Sequence, residues 1–195
     1  MKMKIRFAAL AALMFLAAGC SQRDPAAAAI DAAEGALQAV YEDAQKYVPE
    51  RYAEVKAELE AARKAFDEER YSDAIAAVRD VPAHAEELAR ESVEAKQKRL
   101  AELNSEWTRL SGSLPGLVAG IGTRLGALGK MHKLPKDMDK GLLEEANAAF
   151  GSAKADWDEA NAAYMAGDFE GAVTKARNVE TMTQDLMARL GMQPG

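Results

Sequence analysis

The chain has 195 residues, with 25 Lys+Arg against 31 Asp+Glu, two His and one Cys. Its 42 alanines explain how 49% of the residues are hydrophobic while mean hydropathy stays at -0.28; with 6% aromatics, this composition favours helices packed through small side chains over β-sandwiches and barrels. One cysteine excludes an internal disulfide framework and any multi-thiolate zinc or iron–sulfur site, and a formal charge of -6 argues against nucleic acid as a partner.

The first twenty residues read as an address. Met1 to Arg6 is a basic start, and Phe7 to Ala18 is an apolar run of about twelve residues. That is too short to span a bilayer, which takes ~20 residues, and right for the hydrophobic region of a secretory signal. The run ends in Leu16-Ala17-Ala18-Gly19-Cys20, which resembles the lipobox of bacterial lipoproteins, with Ala17 where leucine is commonest. The resemblance implies that residues 1–19 are a lipoprotein signal peptide, that the chain is cut before Cys20, and that Cys20 is lipidated. An ordinary signal peptide, cut after Ala18 or Gly19 and leaving a free thiol, is the alternative. Ser21, where an aspartate would mark inner-membrane retention in Gram-negative lipoproteins, implies sorting to the cell outer membrane, with the domain facing the periplasm. Each buried methylene contributes about 0.8 kcal/mol to such anchoring, so two or three chains hold the protein permanently. Cleavage removes Lys2, Lys4 and Arg6 and no acid, leaving 22 basic against 31 acidic residues and a formal charge of -9. Anionic headgroups repel such a domain, so residues 20–25 read as a lipidated cysteine and short tether beneath a body that does not lie on the membrane.

Everything after the tether reads as helix. Ile30, Ala33, Leu37, Val40, Tyr41, Ala44 and Val48 form a first stripe up to Pro49; Tyr52, Val55, Leu59, Ala62 and Phe66 a second. Ile75 and Val78, then Ala85, Leu88, Val93, Leu100, Leu103, Trp107 and Leu110 form a long third stripe, with a kink or restart expected near Asp80–Pro82. Ser111-Gly112-Ser113-Leu114-Pro115-Gly116 reads as a loop and as the midpoint of the chain. A glycine-rich apolar helix follows, and His132 to Asp139, with Pro135, reads as a turn. Leu143, Ala146, Phe150, Ala153, Trp157, Ala160 and Tyr164 step by 3 and 4, Ala166-Gly167-Asp168 supplies a tight turn, and a last helix carries Ala172, Ala176, Val179, Thr183, Leu186 and Leu190 up to Gly191.

Sliding the chain by 98 residues aligns Tyr52 with Phe150, Ala62 with Ala160, Phe66 with Tyr164, Tyr71 with Phe169, Ala74 with Ala172, Val81 with Val179 and Leu88 with Leu186. Three aromatic pairs in register predict an all-α antiparallel bundle of two pseudo-repeated three-helix units, 26–110 and 115–191, packed as a single domain with left-handed crossings near +20°. The segments Ala65 to Ile75 and Ala163 to Val173 resemble the central turn of a tetratricopeptide repeat, and are similar to the helical hairpins of small envelope lipoproteins of unknown function. A tetratricopeptide array repeats every 34 residues, so the spacing of 98 carries no concave peptide groove with it.

The catalytic inventory is thin. His84 and His132 sit in no nucleophile–base motif, the carboxylate pairs Glu86-Glu87 and Glu144-Glu145 lie off the apolar stripes, and no strand precedes the glycines to make a phosphate loop. Between Leu114 and Gly129 the helix bears one charge, Arg124, with glycines four apart at Gly116/Gly120 and Gly122/Gly126. It reads either as a central helix closely packed through its glycines or as a partner-docking face of Leu117, Gly120, Ile121, Leu125 and Leu128. The mature methionines, Met131, Met138, Met165, Met182, Met187 and Met192, all fall in the second half, and Met131-His132 with Met138 is the one set that suits Cu(I). The expectation is a non-enzymatic lipoprotein without cofactor or resident metal, serving another envelope protein as adaptor, scaffold or assembly factor; the alternative is an envelope carrier of a ligand or copper.

Overall fold

A run of alanines behind Pro25 starts the first helix, and the computed structural model describes the chain from Gln22 onward: residues 22–136 and 138–193. Cys20 and the signal segment lie outside the described residues. The helices are α1 (Arg23–Ala39), α2 (Tyr41–Tyr47), α3 (Pro49–Asp67), α4 (Tyr71–Val78), α5 (Val81–Gly129), α6 (Lys140–Met165) and α7 (Phe169–Arg189). No strand occurs among the described residues, and none of their helices is long and apolar enough to cross a membrane.

The chain divides into two compact units between Lys98 and Arg99, not at the expected midpoint 110–115. The first holds α1 to α4 and the start of α5. Its core joins Ile30, Ala33 and Leu37 of α1 to Val55, Leu59 and Ala62 of α3, Ala74 and Val78 of α4, and Val81 and Leu88 of α5. Ala26, Ala33, Ala62 and Ala74 are fully buried, so backbones meet across methyl groups. The second unit has two apolar clusters. Leu103, Trp107, Leu110 and Leu114 of α5 pack on Ala160 of α6 and Ala172, Val173, Ala176 and Val179 of α7. Ile121, Leu125 and Leu128 pack on Ala146, Leu186, Met187 and Leu190. Burying one such leucine contributes about 1.5–3 kcal/mol.

Two hairpin turns close these units with the same backbone pattern, 98 residues apart. At the end of α3, Arg70 N–H donates to Ala65 C=O and Glu69 N–H to Phe66 C=O; at the end of α6, Asp168 N–H donates to Ala163 C=O and Gly167 N–H to Tyr164 C=O. Both are Schellman caps, which need a left-handed residue after the helix. Gly167 takes φ +83°, and in the first turn Glu69 takes φ +60°. The ring pairs beneath them also match: Phe66–Tyr71 at 5.3 Å and Tyr164–Phe169 at 5.2 Å, both edge-on at 66°.

Three expectations are corrected. The loop at Ser111–Gly116 is interior helix, with Pro115 inside α5. Leu110 and Leu114 are fully buried, and their step continues the stripe from Trp107 into Ile121, so packing holds the helix against its local breakers. Ser113 Oγ donates to the carbonyls of Arg109 and Leu110 and Ser111 Oγ to that of Thr108, while Pro115 brings no N–H to the carbonyl of Ser111. Second, the seam does not run on from Leu88 to Leu103: Val93 is 50% and Leu100 37% exposed, and Ser92 is the only buried residue between Ala89 and Glu102. Third, the glycines of α5 are not a packing seam. Only Gly122 is crowded, where an added Cβ would lie 3.1 Å from Phe150 Cζ; Gly116, Gly126 and Gly129 face open space. The restart expected near Asp80–Pro82 does occur: α4 ends at Val78, and Pro82 stands in the first turn of α5, where its missing N–H costs little.

Candidate functional site

The expected docking face is mostly interior. Ile121 and Leu128 are fully buried and Leu125 nearly so; Leu117 packs against both apolar clusters of the second unit. Gly120 faces Met192, whose Cε lies 3.8 Å from where a Cβ would stand. The stripe is core because α6 and α7 bring Ala146, Leu186, Met187 and Leu190 onto it, and this corrects its reading as a free surface. Cys20, the expected lipidation site, lies outside the described residues.

The methionines divide by environment. Met187 is buried, Met138 and Met192 pack against the same cluster, and Met131 and Met165 are exposed, Met165 at 86%. Flexible thioethers fill irregular gaps of this kind. His84, in the first turn of α5, places Nδ1 2.9 Å from Glu58 Oε2 on α3. His132 lies exposed between α5 and α6. Among the described residues no three His, Cys, Asp or Glu side chains gather as a metal site.

Charge is organised most strongly on the second unit. Arg109 donates to Glu106 and to both oxygens of Glu180, at 2.6 and 2.9 Å, and Arg177 donates to Glu106 at 3.1 Å. Arg109 and then Arg177, bonding to the Glu106 carboxylate, hold it well below the usual range, at about 2; Arg109 likewise lowers Glu180. Next to this network, Trp107 is sandwiched between Trp157 (centroids 5.6 Å apart, 16° between planes) and Tyr164 (4.4 Å, 7°). The ion pairs tie α5 to α7 and the ring stack ties α5 to α6, which holds the helices in register.

The first unit carries an open groove of about 600 Å³ where α1 gives way to α2, opposite α5. The chain bends at Val40, whose φ of -106° and ψ of 0° end α1 before Tyr41 starts α2. Ala39, Val40, Ala89 and Val93 line it with methyl groups, and Glu42, Asp43 and Lys96 supply its charges. Lys96 Nζ donates to Asp43 at 3.1 and 3.4 Å and lies 5.6 Å from the Tyr47 ring centroid. Ser92 also lines the groove; its residue is 1% exposed and its hydroxyl has no hydrogen-bond partner. Sequence reasoning passed over this place. The one signal was a serine between Leu88 and Val93 in an apolar stripe.

Ion-pair networks and stacked rings fix helices; the groove beside α5 is the concave feature of the first unit, lined by both methyl groups and polar side chains. No family model, no curated protein and no solved structure matches the chain.

Proposed function

We propose that the protein is a lipoprotein of the cell outer membrane, anchored through Cys20, whose helical body faces the periplasm and serves another envelope protein as a non-enzymatic adaptor or assembly factor. The observation that carries this reading is the joint placement of Cys20 and α1: the lipobox-like Leu16 to Cys20 is followed within three residues by the first helical residue, Arg23. The intervening Ser21 and Gln22 reach only ~7 Å. A body attached so closely works at the lipid surface, while its -9 charge keeps it from adhering to anionic headgroups. The ion-pair and aromatic networks support a scaffold, since they hold helices in register and leave the polar faces outward.

The test is in vivo photo-crosslinking with the probe residue at Leu100 or Met165, exposed apolar positions of the second unit, in the lipidated chain and in Cys20→Ala. One abundant envelope adduct that disappears in Cys20→Ala, with [³H]palmitate incorporated only into the parent, is the expected result. A Cys20→Ala chain that stays soluble and retains both the adduct and the cellular phenotype would overturn the tethered-adaptor reading.

A further inference from the structure

We propose that the segment joining α5 to α6, residues 130–140, is a contact surface for anionic lipid headgroups. The distribution of charge points there first. From Trp107 to Lys136 no residue is acidic, a run of thirty in a chain with 31 Asp+Glu. Lys130, Lys133 and Lys136 end that run, Lys140 follows it, and all four are exposed. Every other cation of the second unit is engaged, as Arg109 is by Glu180 and Arg124 by the carbonyl of Leu190. Among the described residues these four lysines have no such partner. Helix stability does not account for them all. A cation after the end of α5 suits the helix dipole, which explains Lys130, but Lys140 opens α6 at the end where a cation is disfavoured. Of the two aspartates in the segment, Asp137 and Asp139, the second is engaged at the cap, accepting from Leu142 N–H at 2.8 Å. Glu144 and Glu145 lie ~6 Å past Lys140 along α6, so a surface that meets the loop end-on meets the lysines first.

Met131 and the kind of cation favour lipid over protein. Met131 stands 46% exposed between Lys130 and Lys133, while Leu134 and Met138 pack inward against the cluster of Leu186 and Leu190. An apolar side chain flanked by lysines suits the boundary between headgroups and acyl chains, where the thioether is covered and the ammonium groups meet phosphates. The unpaired cations are all lysine, a residue depleted at protein–protein interfaces, where arginine is enriched. Met165 is more exposed, at 86%, but stands beside Asp168 and Glu170 and lacks the lysines. The formal charge of -9 holds the acidic faces off such a surface, yet charges beyond ~8 Å are screened at physiological salt, so the groups at the loop govern contact there. Each lysine near an anionic surface strengthens contact about fivefold. The adaptor role needs attachment at Cys20; this contact needs only a lipid surface.

The test places a fluorescent coumarin amino acid at position 131 of the full chain and, in a second chain, at position 165. Each is reconstituted into vesicles of equal parts phosphatidylglycerol and phosphatidylethanolamine, and mixed with an excess of the same vesicles, all carrying a lipid spin-labelled at its headgroup. The probe at 131 should be quenched, and should not be in vesicles of phosphatidylcholine alone. Quenching should be lost in ~1 M salt, where the screening length falls to about 3 Å. Lys133→Gln combined with Lys136→Gln should lower the contact equilibrium about 20- to 30-fold, with helix content by circular dichroism preserved. The probe at 165 should stay unquenched throughout. An unquenched probe at 131, equal quenching in phosphatidylcholine, insensitivity to salt, quenching that survives the double substitution, or equal quenching at 165 would each overturn the assignment. So would a photo-crosslinker at 131 that captures a protein in place of lipid in cells. The intact mass of the reconstituted chain reports acylation separately. A chain without acyl groups whose probe at 131 is quenched would remove the anchor and keep this contact; an acylated chain with an unquenched probe would do the reverse.

Discussion

The turns after α3 and α6 share hydrogen bonds, ring pairs and handedness, yet their residues at the critical positions differ. The second uses the residues a helix junction favours: Gly167 in the left-handed region and Asp168, whose Oδ1 accepts from Gly171 N–H. The first places Glu69 at the left-handed position and Arg70 at the cap, where Arg70 bridges Glu68 and Asp73 at 2.6 and 2.7 Å. The common factor is the edge-on ring pair and the fully buried alanine of the following helix, Ala74 or Ala172. Apolar contact thus selects the turn, and cap chemistry adjusts its energy. The cores differ more. The second unit is organised around a tryptophan between two rings, whereas the fully buried core of the first is aliphatic and alanine, with Tyr52, Phe66 and Tyr71 partly buried against it.

That contrast can be broken most forcefully at Trp107. Trp107→Ala should cost about 3–5 kcal/mol, read by urea unfolding followed by circular dichroism, and more than Leu59→Ala in the first unit, a class of change that costs about 2–5 kcal/mol. Equal costs would show that the stack adds nothing beyond burial. Pro115→Ala comes next: with α5 continuous, removing the proline should raise stability by about 1–3 kcal/mol, whereas a loop at Ser111–Gly116 would gain nothing.

The turns themselves allow a reciprocal test. Glu69→Gly should stabilise by about 1 kcal/mol and Gly167→Ala should destabilise by a similar amount, because only glycine takes positive φ without penalty. Changes of the same sign in both would separate the two turns. The smallest effect is in pH dependence. Glu106 and Glu180 have lowered pKa values in the folded chain, so their contribution is present above pH 4.5, the ordinary glutamate value, and is lost on acidification, for Glu106 as pH falls toward about 2. Glu106→Gln should flatten the acid limb of the stability profile between those values while costing under about 1 kcal/mol at neutral pH, since solvent screens these partly exposed pairs.

Much of this architecture was legible because helical periodicity is local. Leu143 to Tyr164 steps by 3 and 4 and forms α6, with Ala146, Ala153 and Ala160 fully buried. The Gly167–Asp168 turn was equally plain. Ser111 to Gly116 misled because a six-residue window shows its breakers but not the packing that covers Leu110 and Leu114. Val93 and Leu100 misled in the opposite way: their spacing is correct, but a stripe does not say where its cover ends. Glu69 gave no sign of its backbone, since its turn is dictated by contacts made on either side of it. The candidate site was least legible. The expected docking stripe became core, and the groove depends on a bend at Val40 and on burial of one serine, neither of which leaves a pattern in the chain.

The three-residue turns after α3 and α6 also bear on how the protein acquires its structure. Each joins two helices that pack against each other, so many native contacts form between residues close along the chain. Helical topologies of this kind fold in microseconds to milliseconds, because little loop entropy is lost before contacts begin to stabilise. Each hairpin can therefore assemble as soon as its own segment is available, leaving little time for the alanine-rich faces to meet those of a neighbouring molecule.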